Sequence, residues 1–481
     1  MDKTILFGGL TPIHERLIQG AVESQGYKAL PLPVPDNQSL AIGREYCNRG
    51  MCNPTYYTVG NLIKFLLEEQ KKGINVEENY IFATIGACGP CRFGMYETEY
   101  KQALRKAGFK NFQIAILNQT TFSSEGTIEL TPSLIWQLIK AIWTADILRE
   151  IGYRLRPYEV ENGSIDKLLT EQTETLYHIL KKGGKVKEIL KSLYQFRKKL
   201  QVIRFNFSKV KPVVAVIGEF WAHTTESDGN YHLHRWLEEE GAEVRPEPIA
   251  GWIDYQLFIT EEKLKKEIKA KGLSKNRIKS LIATKSLSIA LKGFYNLLRS
   301  VFSFLPKELP SQKYLAQLAS PYFDYMVVGG EGHLEVAKHV YYVKHKKCHM
   351  VVSVKPFGCM PSTQSDGAQA KVLSDYPESI FISVETSGDA EINVKSRILM
   401  KLFEAKKLAE QELSNALRKH KITKREFENA CKSENLQKPL IKRSKNYIST
   451  AAQVLDANAK QIKSLIREKF SDGLLIPTKN G

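Results

Sequence analysis

No uninterrupted apolar run in this 481-residue sequence is long enough to span a bilayer. The chain does not begin like a secretion signal either. Met1-Asp-Lys-Thr-Ile-Leu-Phe-Gly-Gly passes at once into an apolar, strand-like run. A cytoplasmic location is expected. A Walker-type Gly-x-x-x-x-Gly-Lys-Ser/Thr loop is missing, as is a phosphate loop of the actin-like kind, so any ATPase must be another chain. Zinc-finger and RNA-recognition signatures are missing too, and no short-period repeat occurs. Cysteine is sparse, at seven residues, but five of the seven sit in short turns. In a reducing cytosol, thiols clustered in this way serve more often as metal ligands or redox centres than as disulfides.

What the chain has in excess is positive charge: 70 Lys and Arg against 52 Asp and Glu, a formal net charge of +18. The excess is spread over three Lys-rich, helical-looking stretches, 181–212, 263–299 and 401–469. The last two interleave Lys and Arg with Leu, Ile and Ala at helical spacing, which describes solvated faces of amphipathic helices. A docking surface for an acidic partner or for cofactor-ester phosphates is the alternative. Nucleic acid is not expected, because no recognition motif accompanies the charge.

The length calls for more than one core. Short apolar runs alternate with helical patterns over the first 120 residues. Thr4-Ile-Leu-Phe-Gly, Tyr27-Lys-Ala-Leu-Pro-Leu, Tyr80-Ile-Phe-Ala-Thr-Ile and Phe112-Gln-Ile-Ala-Ile-Leu are strand candidates, with helices at 12–25, 57–72 and 94–107. The pattern restarts at Val213-Val-Ala-Val-Ile-Gly and Ala242-Glu-Val-Arg-Pro. Tyr325-Met-Val-Val-Gly, His349-Met-Val-Val-Ser-Val and Ser379-Ile-Phe-Ile-Ser-Val continue it. Such alternation predicts an α/β fold of two Rossmann-like parallel-sheet domains. The expected divisions are an N-terminal α/β domain at 1–130, a helical connector at 131–208, a second α/β domain at 209–400 with a helical insertion at 258–318, and a basic helical C-terminal region at 401–481.

The cysteines stand in Cys47-Asn-Arg-Gly-Met-Cys52-Asn-Pro, Gly86-Ala-Cys88-Gly-Pro-Cys91-Arg-Phe-Gly and Pro356-Phe-Gly-Cys359-Met-Pro. Glycine lets a backbone approach an inorganic group closely, and proline fixes a turn while removing an amide that would need a partner. Ligands of open parallel sheets bind beyond the carboxyl ends of the strands. Cys88, Cys91 and Cys359 follow strand candidates directly, and Cys47 and Cys52 lie just before a helix that Pro54 can start. Two domains facing each other would bring all five sulfurs into one cleft, suited to an iron–sulfur cluster. A zinc site and a redox dithiol remain alternatives. Cys348 begins the strand whose far end carries Cys359, about 20 Å away at about 3.3 Å per residue, and is expected to be a structural or surface thiol. Cys431 lies on an amphipathic helix as a small core residue.

Together the turns around Cys52, Cys91 and Cys359 resemble those of the 2-hydroxyacyl-CoA dehydratase and benzoyl-CoA reductase superfamily. The branch they resemble most includes the double-cubane cluster proteins and the large activase-related proteins. Gly218-Glu-Phe-Trp, Leu237-Glu-Glu-Glu-Gly-Ala-Glu-Val, Trp252 and Gly329-Gly-Glu-Gly-His also fit that branch. The resemblance implies α/β domains clasping a cluster in a homodimer, with Cys52, Cys91 and Cys359 matching the three ligands of a single 4Fe-4S cubane. Cys47 and Cys88 are the extra sulfurs that point to a sulfide-bridged double cubane, although a six-thiolate site would need one ligand more.

The function the resemblance implies is an ATP-dependent, low-potential reductase. A separate ATP-hydrolysing activase, carrying its own iron–sulfur cluster, would supply electrons for a small-molecule or CoA-ester substrate. The alternatives are a 2-hydroxyacyl-CoA dehydratase subunit working by a ketyl radical, and a non-catalytic electron relay or activase-related adaptor. Reduction needs protons, so His223, Glu331 and His333, in loops at the expected ligand end, are candidate proton donors, and a histidine in such a loop can titrate near neutrality. A solvent-exposed histidine or a helix-capping glutamate is the plainer alternative at each. Arg92 is a candidate to neutralise cofactor charge or bind an anionic substrate. His232 and His234 read as structural.

Overall fold

The computed structural model describes residues 3–86, 91–118, 124–125 and 129–473. Among these described residues, nine strands form two sheets. The first contains β1 (Thr4–Phe7), β2 (Lys28–Pro31), β3 (Tyr80–Gly86), β4 (Gln113–Asn118) and β5 (Ser124–Glu125) in the order β2-β1-β3-β4-β5. All pairings are parallel except the short β4–β5 edge. The second contains β6 (Val213–Gly218), β7 (Glu243–Pro246), β8 (Met350–Pro356) and β9 (Ile380–Thr386) in the order β7-β6-β8-β9, parallel throughout. The two sheets thus share one strand order, which reverses between β1 and β3 in the first and between β6 and β8 in the second. Two parallel sheets with many helices make this an α/β fold of Rossmann-like plan.

Burial follows position in the sheet. Every residue of the central strands β6 and β8 is buried, as a strand with helices on both faces requires. The edge strand β2 alternates between buried and exposed residues. Turn chemistry opens the helices. Thr11 caps the helix Pro12–Glu23 by accepting from the His14 N–H, with proline in the first turn. Asp36 and Ser39 cap the helix Asn37–Tyr46 reciprocally.

That helix, absent from the expected pattern, packs backbone to backbone on the helix Asn53–Lys71. A Cβ on Gly43 would lie 1.9 Å from the Tyr56 carbonyl oxygen, and one on Gly60 would lie 1.8 Å from that of Ser39. The helices Pro132–Leu155, Ser164–Lys181 and Val186–Leu200 share the largest apolar core with Leu298 and Phe302 of the later helical region.

The strand expected at Tyr325-Met-Val-Val-Gly does not form. The segment is irregular, and both neighbours of β6 are already supplied by β7 and β8. Val328 packs instead with Tyr255, Ile259, Leu315 and Leu334 of the surrounding helices. A four-residue apolar run serves helix packing as well as a sheet. Glu331 and His333 consequently sit in a glycine-rich turn, with Gly329, Gly330 and Gly332 all at positive φ, and not at a strand end.

Cys348 lies inside, among Val213, Tyr342 and Val351, so its structural placement is in the core and not at the surface. Cys431 is buried beside Leu413 and Phe427. No helix among the described residues is long and apolar enough to cross a membrane.

Candidate functional site

Three helix starts meet where the carboxyl ends of the two sheets approach each other. Cys52 is the N-cap of the helix Asn53–Lys71, with Pro54 in its first turn. Cys359 is the N-cap of the helix Met360–Asp375, with Pro361 at the same spacing. Cys91 is the N-cap of the 3-10 turn Arg92–Met95, which continues into the helix Tyr96–Lys106. The prolines therefore belong to helix initiation, where a missing N–H costs nothing and φ is already set.

Backbone contacts hold these turns together. The Asn53 N–H donates to the Phe357 carbonyl at 3.2 Å, and the Asn53 side-chain amide donates to the Thr386 carbonyl at 3.0 Å. Arg92 Nη1 donates to the Gly50 carbonyl at 2.5 Å. Gly358 packs against the same junction at φ +77°; a Cβ there would stand 3.2 Å from Arg92 Nη1 and 3.7 Å from Cys52 Cα. Nearby, the rings of Tyr57 and Trp221 lie 5.6 Å apart, bringing the first-sheet helices against the helix Phe220–Thr224.

The sulfurs are engaged by hydroxyl groups. Cys52 Sγ is 3.1 Å from Tyr96 Oη and 3.5 Å from Thr55 Oγ1, and Ser362 Oγ donates to Cys359 Sγ at 3.1 Å. A thiol at a helix start is ordinarily acidified by the N–H groups aimed at it. Here burial wins. It pushes Cys91 up to about 11 and Cys359 to about 12, and it raises Cys52, with the negative charge of Glu219 adding to all three. The backbone N–H groups of Thr55, Phe93 and Ser362 pull the other way and lose. Cys52 also raises Cys91, and Cys91 raises Cys359, so the three thiols share one electrostatic neighbourhood.

Two carboxyl groups complete it. Glu219 follows β6 and caps the helix Phe220–Thr224, its Oε2 accepting from the Ala222 N–H at 2.9 Å. Burial nevertheless raises it. Glu331 is 5% exposed and is pushed by burial up to about 8; Glu219 and Glu335 add to the shift, against Lys338 and the Phe220 backbone N–H. At neutral pH the group is therefore protonated, as are the three thiols.

Among the described residues, no group of three or more histidine, cysteine, aspartate or glutamate side chains is placed to hold a metal ion. This overturns the expected iron–sulfur centre, whether a single 4Fe-4S cubane or a double cubane. The reductase, dehydratase and electron-relay functions that rested on it are overturned as well. Thiolate ligation requires deprotonated sulfurs converging on one point. Here two of the three sulfurs are instead engaged by the hydroxyl groups of Tyr96 and Ser362.

Cys47 ends the helix Asn37–Tyr46 inside the first-sheet core, in the same apolar cluster as Cys52, with Leu6, Leu32 and Phe82; burial pushes it up to about 12, with the negative charge of Glu99 adding and Lys106 acting against it. Cys88 lies outside the described residues.

The two histidines do not titrate near neutrality as expected. His223 is buried at the end of the helix Phe220–Thr224 and is held well below its usual range by burial, with the positive charges of Lys338 and Arg149 adding. His333 is fully buried against the rings of Tyr255, Phe258 and Tyr325, and burial brings it down to about 4. Both are neutral imidazoles at pH 7. His234 is likewise buried and comes down to about 3, whereas His232 is paired with Asp228 at the surface.

Glu219, Tyr96 and Ser362 are site residues to which sequence reasoning gave no role. Glu219 lies in the Gly218-Glu-Phe-Trp run, and Tyr96 and Ser362 lie in the runs that follow Cys91 and Cys359, so those runs were their signal. No protein-family model matches the chain, and no curated protein is significantly similar to it.

Proposed function

We propose that the chain is an enzyme whose two sheet domains face each other across a cleft, and that it works there by general acid catalysis on a small molecule that gains negative charge as it reacts. The observation that carries this is the convergence of Glu219, Glu331, Cys52, Cys91 and Cys359 beside strand ends, all raised toward their neutral forms. Neutral donors grouped in this way, Glu331 and the three thiols, favour charge that develops on a bound oxygen or leaving group, because each donor strengthens as that charge grows. Glu331 is the proton donor, since its acid form persists up to about pH 8. Arg92, fixed at the junction of the three turns, supplies positive charge for an anionic part of the substrate. Protonated thiols are poor nucleophiles, so the cysteines shape and donate and do not attack.

Because the turns around Cys52, Cys91 and Cys359 resemble those of the 2-hydroxyacyl-CoA dehydratase superfamily, coenzyme A esters are the first substrates to test. Cys91 and Cys359, both half-buried, report binding. In the presence of a panel of CoA esters and small carboxylic acids, a substrate slows alkylation of both thiols, and E331Q keeps that protection while losing turnover. If no compound protects either thiol, or E331Q turns over like the parent, the reading fails.

A further inference from the structure

At the opposite, amino-terminal end of the second sheet, an arginine is buried without an acceptor. Arg443 lies in the stretch before the C-terminal helix Thr450–Gly473, and its Nε, Nη1 and Nη2 are all buried and unpartnered. The Phe207 ring lies 5.2 Å from its guanidinium carbon. Two further arginines stand close: Arg154 on the helix Pro132–Leu155 and Arg245 on β7.

Two carboxyl groups lie in their midst. Glu150, one turn before Arg154 on the same helix, is buried and interacts with Arg154 and Arg245, and Glu243, which also acts on Arg443, is already saturated. Its Oε2 accepts from Tyr158 Oη at 2.9 Å and from Thr450 Oγ1 at 2.5 Å. Its Oε1 takes Arg245 Nε at 3.2 Å and Nη2 at 3.1 Å, with Arg154 Nη1 at 3.4 Å. Arg154 Nε also has no partner. Three cations thus share two buried carboxyl groups, of which Glu243 is the one acting on Arg443, and four buried guanidinium nitrogens lack acceptors. A buried unpaired charge is among the costliest groups a fold can carry.

We infer that Arg443 and Arg154 bind a tetrahedral inorganic oxyanion, of the phosphate or sulfate kind, which locks the C-terminal helical region onto the amino end of the second sheet. The guanidinium fork matches two oxygens of such an ion at once, and a second arginine can take a third. Burial pulls Arg443 down to about 9, which leaves it charged at neutral pH and in need of a counter-ion.

The test is thermal unfolding of the full chain at constant ionic strength, titrating phosphate, sulfate or chloride, for the parent, R443M and K445Q. Lys445 is exposed and serves as the surface-charge control. Phosphate or sulfate is expected to raise the midpoint in proportion to the logarithm of its concentration in the parent and in K445Q. R443M should show no such rise. Equal responses in the parent and R443M, a response to chloride alone, or no response in the parent overturns the assignment. Should R443M fail to fold, equilibrium dialysis of the parent with labelled phosphate and labelled sulfate decides: saturation of either near one ion per chain supports the site, and binding of neither refutes it.

Discussion

Asn53 and Phe357 tie two distant parts of the chain into one structure: the Asn53 N–H donates to the Phe357 carbonyl at 3.2 Å, and each residue lies within two positions of a site cysteine. Because the Cys52 turn and the Cys359 turn are joined through the backbone, a side chain added between them presses on Arg92 Nη1, 3.2 Å from a Cβ at Gly358, and meets Cys52 Cα at 3.7 Å. Gly358 occupies that place at φ +77°. Gly358→Ala is expected to lose about 1–2 kcal/mol of stability from the left-handed backbone alone. It should also raise the alkylation rate of Cys52 by loosening the junction. Chemical denaturation and mass-resolved alkylation measure both, and an unchanged midpoint with Cys52 still protected would contradict the close packing.

Thiol reactivity should rank by exposure and respond to Glu331. Cys91 and Cys359 are half-buried, whereas Cys47, Cys52, Cys348 and Cys431 are buried. The first two are expected to alkylate first, slowly at neutral pH because their thiols are raised to about 11 and about 12. Glu331 raises Cys91 only when ionised. At pH 7 the Cys91 rates of E331Q and the parent should therefore agree, and above about pH 8 E331Q should react faster. Identical pH profiles would place Glu331 outside the site.

Buried neutral histidines set the acid side of the stability curve. His333 and His339 both fall to about 4 in the folded chain, below their usual 6.5. Between those values the unfolded state binds more protons, so stability drops as pH falls, by up to about 1.4 kcal/mol per pH unit for each histidine. The loss of stability from pH 6.5 to 4.5 should shrink in His333→Phe, read from urea midpoints. A pH slope unchanged by that substitution would show that His333 does not hold this linkage.

Iron content tests the correction of the cysteine reading. Purified anaerobically, the chain is expected to hold less than about one iron per molecule and no acid-labile sulfide. About four irons with matching sulfide would restore the cluster.

Strands were legible in the sequence wherever burial on both faces writes a continuous apolar run, as in Val213-Val-Ala-Val-Ile-Gly and His349-Met-Val-Val-Ser-Val. The same signal misled at Tyr325-Met-Val-Val, because apolar residues that fill a helical core look identical over four positions. The helix Asn37–Tyr46 was invisible for a different reason: its packing rests on Gly43 meeting the Tyr56 backbone, and glycine inside a polar stretch reads as a turn. At the site, Cys52, Cys91 and Cys359 were singled out from their turns, and the structure gives them common neighbours. Their state was not legible. The Gly and Pro residues taken as signs of ligand display also start helices, and it is burial, with Glu219 adding at all three, that raises the thiols toward their neutral forms.

The central claim is that Glu331 carries a proton at neutral pH within this neutral-donor pocket. Difference infrared spectroscopy of the parent against E331Q, across a pH titration, reads that proton directly. A protonated-carboxyl band that is present at pH 7, disappears with a midpoint near 8 and is absent from E331Q is the predicted result. A Glu331 already ionised at pH 6 would contradict it.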